Sequence, residues 1–325
     1  MQQQKANSSR LFTTLALTTA LMTLGLIVFG AVVRVTDSGL GCGNEWPLCD
    51  GRIIPPLDNL TAWIEWLHRL FAVMIGLFGL ATLAVAFRAY RMSNRFVLGA
   101  TVTAAILFAL QSSLGAMVVL LDLPPTMVTM HLGTAMLLLA ALLCATVGSL
   151  YTPKQTHTRD HVTLLVYITT ALSLVIILTG TLVRGSGATL ACLDWPLCNG
   201  ELFPFQQGQL QTVHMMHRFA VGALGITLLL LVWYVWQERR GESLSCTLAL
   251  AALGIYFAQA LVGALFVLSE AAPIWGASHV GMAAATWAVL VALSVVETLD
   301  NQEINQTKNA PSAELSINAS HSGKS

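Results

Sequence analysis

Charge is what this chain has least of. Only 10% of its residues are Asp, Glu, Lys or Arg, and 16 basic and 16 acidic side chains cancel to a formal net charge of zero. A soluble domain carries about 25% charged residues, so a water-facing globular surface is excluded. With no basic excess, nothing draws a nucleic acid to the chain. No cleavable leader is expected either. The first apolar run, near 12–33, follows Lys5 and Arg10 but is longer than a signal h-region, and no clear small-x-small site comes after it. It is expected to be retained as a helix.

What is abundant is apolar. Hydrophobic residues make up 55% of the chain and the mean hydropathy is +0.70. Eight runs are long enough to cross a hydrocarbon core, near 12–33, 62–87, 97–120, 127–150, 163–183, 211–236, 245–267 and 275–297; a span takes about 20 helical residues. Backbone groups in lipid must satisfy one another, so these runs are helices. The N-terminus (Lys5, Arg10) and the loops holding Arg88, Arg91 and Arg95, Lys154 and Arg159, and Arg239 and Arg240 carry the basic residues. The positive-inside rule then places both termini in the cytoplasm.

The chain also repeats itself. Gly30-Ala-Val-Val-Arg34 returns as Gly180-Thr-Leu-Val-Arg184, Trp46-Pro-Leu-Cys49 as Trp195-Pro-Leu-Cys198, and His68-Arg69 as His217-Arg218. Gln111, Gly115 and His131 return as Gln259, Gly263 and His279. The offset is 150 for Arg34/Arg184, 149 for His68/His217 and 148 for His131/His279. The expected fold is therefore an all-α integral membrane protein of eight transmembrane helices. They form two tandem four-helix bundles related by a pseudo-twofold along the membrane normal. The expected divisions are a cytoplasmic N-terminus (1–11), a first repeat (12–150), a cytoplasmic linker (151–162), a second repeat (163–298) and a disordered cytoplasmic tail (299–325).

Of eight histidines, His157, His161 and His321 fall in polar cytoplasmic segments and are read as solvated. His68, His131, His214, His217 and His279 fall in apolar helices, where a polar side chain is costly and faces the bundle interior. One such histidine can simply bond between helices. Two repeat-related pairs, at matching depths on helices entering from the same face, can instead ligate a haem iron axially in each half. A bare zinc or copper site is the competitor, and it would want three or four ligands. Arg34, Arg69, Arg184 and Arg218 are candidate contacts for haem propionates, against ordinary snorkelling to lipid headgroups.

The repeats differ where Glu65 aligns with His214, one turn before His68 and His217. A carboxyl inside the membrane points to function; the competing role is to orient His68 or Trp66. Cys42 with Cys49 and Cys192 with Cys198 lie in the two long outer loops, where an oxidising compartment favours local disulfides. A zinc site shared between repeats, or a redox-active thiol pair, is the alternative. Cys144 and Cys246 lie in helices and read as core residues.

Together, Glu65-x-x-His68-Arg69, His131, His217, His279, the Gly-x-x-x-Arg helix ends and the paired loop cysteines resemble the haem A synthase family, over about residues 12–297. The resemblance implies a cell-membrane oxidoreductase of haem biosynthesis, serving cytochrome c oxidase assembly. It would oxidise the C8 methyl of haem O to a formyl group through an alcohol and a geminal diol. His68 and His131 would hold the substrate haem O, His217 and His279 would be the axial iron ligands of a resident haem b, and Glu65 would be catalytic. Membrane lipid, haem O synthase and an electron-transfer protein are the implied partners. No role for His214 follows from the resemblance. Two other classes stay open on the residues alone: a di-haem membrane cytochrome b that only transfers electrons, and a haem chaperone or transporter. The first would set its haems on opposite membrane sides; the second has no need of Glu65.

Overall fold

A computed structural model of the chain describes residues 2–153 and 160–308, with side chains described for 9–153 and 160–301. His157, His321, Lys154, Arg159 and the tail beyond 308 lie outside the described residues.

Among the described residues, eight long helices follow one another: α1 (Gln2–Val35), α2 (Leu60–Tyr90), α3 (Arg95–Leu120), α4 (Pro125–Leu150), α5 (His161–Gly185), α6 (Gln209–Glu238), α7 (Ser243–Leu268) and α8 (Pro273–Lys308). All eight contain a stretch long and apolar enough to cross a membrane. The helices overrun the expected apolar runs because their caps are polar. Asn59, Asn94 and Asp160 accept from the backbone N–H of Ala62, Val97 and Thr163 at 3.1, 3.1 and 3.0 Å. Pro125 and Pro273 open α4 and α8, where the missing N–H costs nothing.

Helix contacts run α1–α2–α3–α4 and back to α1, and α5–α6–α7–α8 and back to α5; α1 with α8, α4 with α8 and α4 with α5 join the two sets. Two of the joints are reciprocal. Gly133 of α4 lies against Leu178 of α5, and its repeat partner Gly281 of α8 lies against Val28 of α1. A Cβ on either glycine would stand 3.2 Å from the facing side chain, so both crossings are close. Trp287 of α8 donates to the Met136 carbonyl of α4 at 3.0 Å, inside a core that also holds Ile27, Leu139 and Val291.

Two expectations change at the end of the molecule opposite the cysteine loops. The expected polar tail from 299 begins instead as helix, since α8 continues to Lys308. Asp300 and Asn301 are buried there: the Tyr151 hydroxyl donates to Asp300, and Asn301 Nδ2 donates to Thr163 Oγ1 and to the Glu297 carbonyl. Arg239, counted above as a loop charge, is 5% exposed and pairs with Asp160 at 2.8 Å and Glu297 at 3.5 Å. It neutralises Asp160 and the buried Glu297 rather than marking a surface. His161, exposed as expected of a solvated histidine, opens α5 and sits 2.7 Å from Glu238 Oε1.

Candidate functional site

Two long loops, 36–59 and 186–208, stand at the other end. In each, the cysteines are joined to each other: Cys42 to Cys49 and Cys192 to Cys198. Each bridge is buried against the helix that follows it, the first on Ala62 and Trp66 and the second on Met215 and Phe219. Cys144 and Cys246 are free thiols. Peptide mapping without reduction should recover both linkages, with free thiol only at 144 and 246. Closing such short loops stabilises the folded chain by roughly 2–3 kcal/mol each. Free thiols at all four loop positions, or stoichiometric zinc, would refute the pairing.

The loops are also pinned by arginine. Arg69 donates to the Leu48 carbonyl at 2.9 Å and the Glu45 carbonyl at 3.1 Å. Arg218 does the same in the second half, to the carbonyls of Leu197 and Pro196. The guanidinium fork thus serves the turn that follows each Trp-Pro pair. In the second loop Asp194 accepts from the Gly200 N–H at 2.8 Å and from the Asn199 N–H. Slight burial pulls the other way, but these donors hold its carboxyl below the usual range.

Glu65 is tied into the same arrangement. Gly41 lies so close to the start of α2 that a Cβ would stand 2.4 Å from the Thr61 carbonyl. Only glycine fits, and the approach brings the Cys42 N–H within 2.9 Å of Glu65 Oε2. The other carboxyl oxygen accepts from Arg69. Glu65 is 4% exposed. In the second half His214 takes its place, with Nε2 3.3 Å from Arg218 and a buried Nδ1 that has no partner.

The four remaining intramembrane histidines stand just below the loops. His68 and His217 come eight residues after the first residues of α2 and α6, and His131 and His279 six after those of α4 and α8. At 1.5 Å per residue all four lie about 9–12 Å from their helix starts. Within each half the two rings are near enough that a charge on one is felt by the other. Each ring also rests on a glycine of a neighbouring helix. A Cβ would stand 3.2 Å from His68 at Gly30, 3.1 Å from His131 at Gly115, 3.4 Å from His217 at Gly180 and 2.9 Å from His279 at Gly263. The duplicated glycines therefore clear the space that the imidazoles occupy.

The two pairs differ in what holds the rings. His217 Nδ1 is 2.9 Å from Thr179 Oγ1, whose own proton goes to the Ile176 carbonyl, so the imidazole is the donor. His279 Nδ1 donates to the Gln259 carbonyl at 3.2 Å. Both contacts leave Nε2 as the nitrogen with a free lone pair, the arrangement that orients a metal-ligating histidine. In the first half the position of Thr179 is taken by Phe29, whose ring centre is 6.1 Å from that of His68. His68 has no hydrogen-bond partner among the described residues. His131 takes a 3.2 Å contact from the Gln111 amide at Nε2 and lies beside the Gln111 backbone, as His279 lies beside that of Gln259. The donor set fits haem in both halves. Among the described residues no group of three or more His, Cys, Asp or Glu is placed to hold a bare metal ion.

Arg34 and Arg184 end α1 and α5 beside one another. Arg184 reaches Asp37 at 3.3 Å and the Arg34 carbonyl at 3.5 Å, while Arg34 keeps a buried Nε without a partner.

The family of cytochrome oxidase assembly proteins designated COX15-CtaA matches residues 13–291. The chain belongs to that family. Among its relatives, the haem A synthase of Symbiobacterium thermophilum is 32% identical over 293 residues, covering 84% of this chain and 90% of that one. The haem A synthase of Geobacillus thermodenitrificans is 31% identical over 265 residues, covering 78% and 81%. That of an Exiguobacterium species is 31% identical over 235 residues, covering 69% and 74%.

For this COX15-CtaA member, the structure gathers Glu65, His68 and His131 in one half and His214, His217 and His279 in the other. It ties Arg69 and Arg218 to loop carbonyls, while Arg34 and Arg69 each keep a buried Nε without a partner. The reading from sequence missed the Cys42 N–H to Glu65 and the contrast between Thr179 and Phe29. The second was visible in principle, since the two residues align at the offset of 150 that relates Arg34 to Arg184.

Proposed function

We propose that this chain is a haem A synthase of the cell membrane: it holds haem b permanently on His217 and His279 and oxidises the C8 methyl of haem O, bound at His68 and His131, to a formyl group. One observation carries the assignment of the two pockets. His217 is anchored through Nδ1 to Thr179, whereas His68, with Phe29 at that position, has no such partner among the described residues. Anchored ligands suit a resident group. Ligands that can swing suit a substrate that enters and leaves. The relatives' names and the family match support the same reaction.

The chain's own residues do the positioning. Bound haem supplies the redox chemistry. His68 and His131 would fix the plane of the substrate ring, and glycines 30 and 115 let it approach the helices. Glu65, one turn from His68 and oriented by the Cys42 N–H and Arg69, would keep its carboxyl beside a haem held there. A carboxylate there would stabilise positive charge arising at the oxidised methyl. Arg34 and Arg184 would receive propionates. The two four-helix repeats are related by a pseudo-twofold along the membrane normal, a reading supported by the reciprocal Gly133–Leu178 and Gly281–Val28 contacts. The basic residues put both termini in the cytoplasm and the disulfide loops outside. Both histidine pairs then lie toward the outer leaflet, which disfavours a cytochrome that carries electrons across the membrane.

The test is haem extraction and chromatography from cells that make haem O and express this chain. Haem A should appear, and haem B should copurify with the protein. Haem B alone, with haem O unconverted, would overturn the reading.

A further inference from the structure

A cavity of about 210 Å³ lies inside the first four helices, lined among others by Ile75, Gly79 and Thr82 of α2 and by Ala105 and Ala109 of α3. Its α2 wall runs 7 to 14 residues beyond His68, from Ile75 to Thr82. That places it roughly 10–20 Å deeper in the bilayer than the histidine pair. The walls present hydrocarbon. Thr19, Thr82 and Thr101 give their protons to the carbonyls of Leu15, Phe78 and Val97, so their methyls are what the cavity can use. The cavity also reaches the bilayer-facing side of the helices, because Leu80 in its wall is 64% exposed.

The second half is an internal control. At the repeat offsets of 149 for α2 and 148 for α3, Gly79 becomes Leu228, Thr82 becomes Leu231 and Ala105 becomes Leu253. Leu228 and Leu231 are fully buried in a packed cluster with Leu224, Ala252, Tyr256 and Leu290, and Leu253 packs against it. Where Phe108 lies on Gly76 beside the cavity, its counterpart Tyr256 lies on Gly225 and closes the packing by donating to the Val221 carbonyl at 2.9 Å. Three positions that are Gly, Thr and Ala beneath one histidine pair are therefore leucine beneath the other. Apolar cavities of this kind stay dry and accept hydrocarbon.

We infer that the cavity holds the isoprenoid side chain of haem O, entering between α2 and α3 from the bilayer. Haem O differs from haem b by this long chain on the ring. A haem bound at His68 and His131 has room beneath it for the chain, while one bound at His217 and His279 meets leucine. The inference rests on the pocket assignment proposed above, and it makes the chain, rather than the ring, the feature that sorts the two haems.

The experiment uses the full-length protein with haem b already loaded in its second half. Haem O and haem b are titrated separately into the first half and followed by the Soret difference spectrum, with His68→Ala assigning the signal. The wild type should bind haem O at least tenfold more tightly than haem b, since each buried methylene is worth about fourfold in an equilibrium constant. Gly79→Leu and Ala105→Leu, which import the second half's residues, should each weaken haem O roughly tenfold or more and leave haem b within about twofold. Thr82→Leu, closest in size to the native side chain, gives a third variant in case either of the others misfolds, and an unchanged low-spin haem b spectrum reports that the fold is intact. A wild type without preference for haem O, as expected if lipid fills the cavity, would overturn the inference. So would leucine variants that weaken both haems alike, even with the His68 assignment standing. A titration that His68→Ala leaves unchanged would instead overturn the pocket assignment, and the tail site with it.

Discussion

His217→Ala and His279→Ala should each strip the resident haem b from the purified protein, with the low-spin spectrum lost or converted to high spin. Each histidine stands with Nδ1 already committed, to Thr179 or to the Gln259 carbonyl, which leaves Nε2 to ligate. Alanine removes a ligand that nothing nearby replaces, because His214, the other histidine at that end of the half, is engaged by Arg218. Loss of the group should also lower thermal stability, as a ligand that binds only the folded chain stabilises it by mass action. Thr179→Val keeps the shape and removes the acceptor. It should weaken haem retention by about 10–100-fold, the usual cost of losing a partner that orients a metal ligand. His68→Ala should leave the resident haem spectrum in place, because it changes only the other pocket. Spectra that do not change in either His217→Ala or His279→Ala would end the assignment.

The sequence made the histidines legible because a polar ring in an apolar run has few reasons to be there, and a second copy at a fixed offset removes the plainest of them. The eight spans were legible for a similar reason: length and hydropathy alone decide whether a helix can cross lipid. What held the rings was not. Threonine is common in membrane helices, where most bond their own backbone, as Thr82 and Thr101 do. Nothing local separates Thr179 from them until α6 brings His217 alongside. The continuation of α8 was hidden in the same way. Glu297, Asp300 and Asn301 look like the start of a solvated tail, but their partners Thr163, Tyr151 and Arg239 come from other helices and loops. The cavity was the least visible feature. A missing side chain leaves no mark on a hydropathy profile, and it shows only when Gly79 and Ala105 are set beside Leu228 and Leu253.

Glu65→Gln should fold, keep haem b on His217 and His279, accumulate haem O and make at least roughly 100-fold less haem A, in the range that a positioned acid or base contributes. The fold should survive for a reason built into the repeat. Glutamine can still accept the Cys42 N–H, and the loop's grip through Arg69 onto the carbonyls of Leu48 and Glu45 does not need the carboxylate. The second half shows the same construction without a carboxylate: Arg218 binds the carbonyls of Leu197 and Pro196 with His214 in Glu65's place. What glutamine cannot supply is a negative charge or an exchangeable carboxyl proton one turn from His68. Glu65→His, which copies the second half outright, should behave like Glu65→Gln: stable protein, normal haem b, little haem A. A role confined to anchoring the Cys42 loop predicts otherwise, with haem content and protein yield falling in step with activity and haem O bound less tightly. Extracting and separating the haems from cells that also make haem O distinguishes the two. A stably expressed Glu65→Gln protein that produces haem A at the normal level would remove Glu65 from the chemistry.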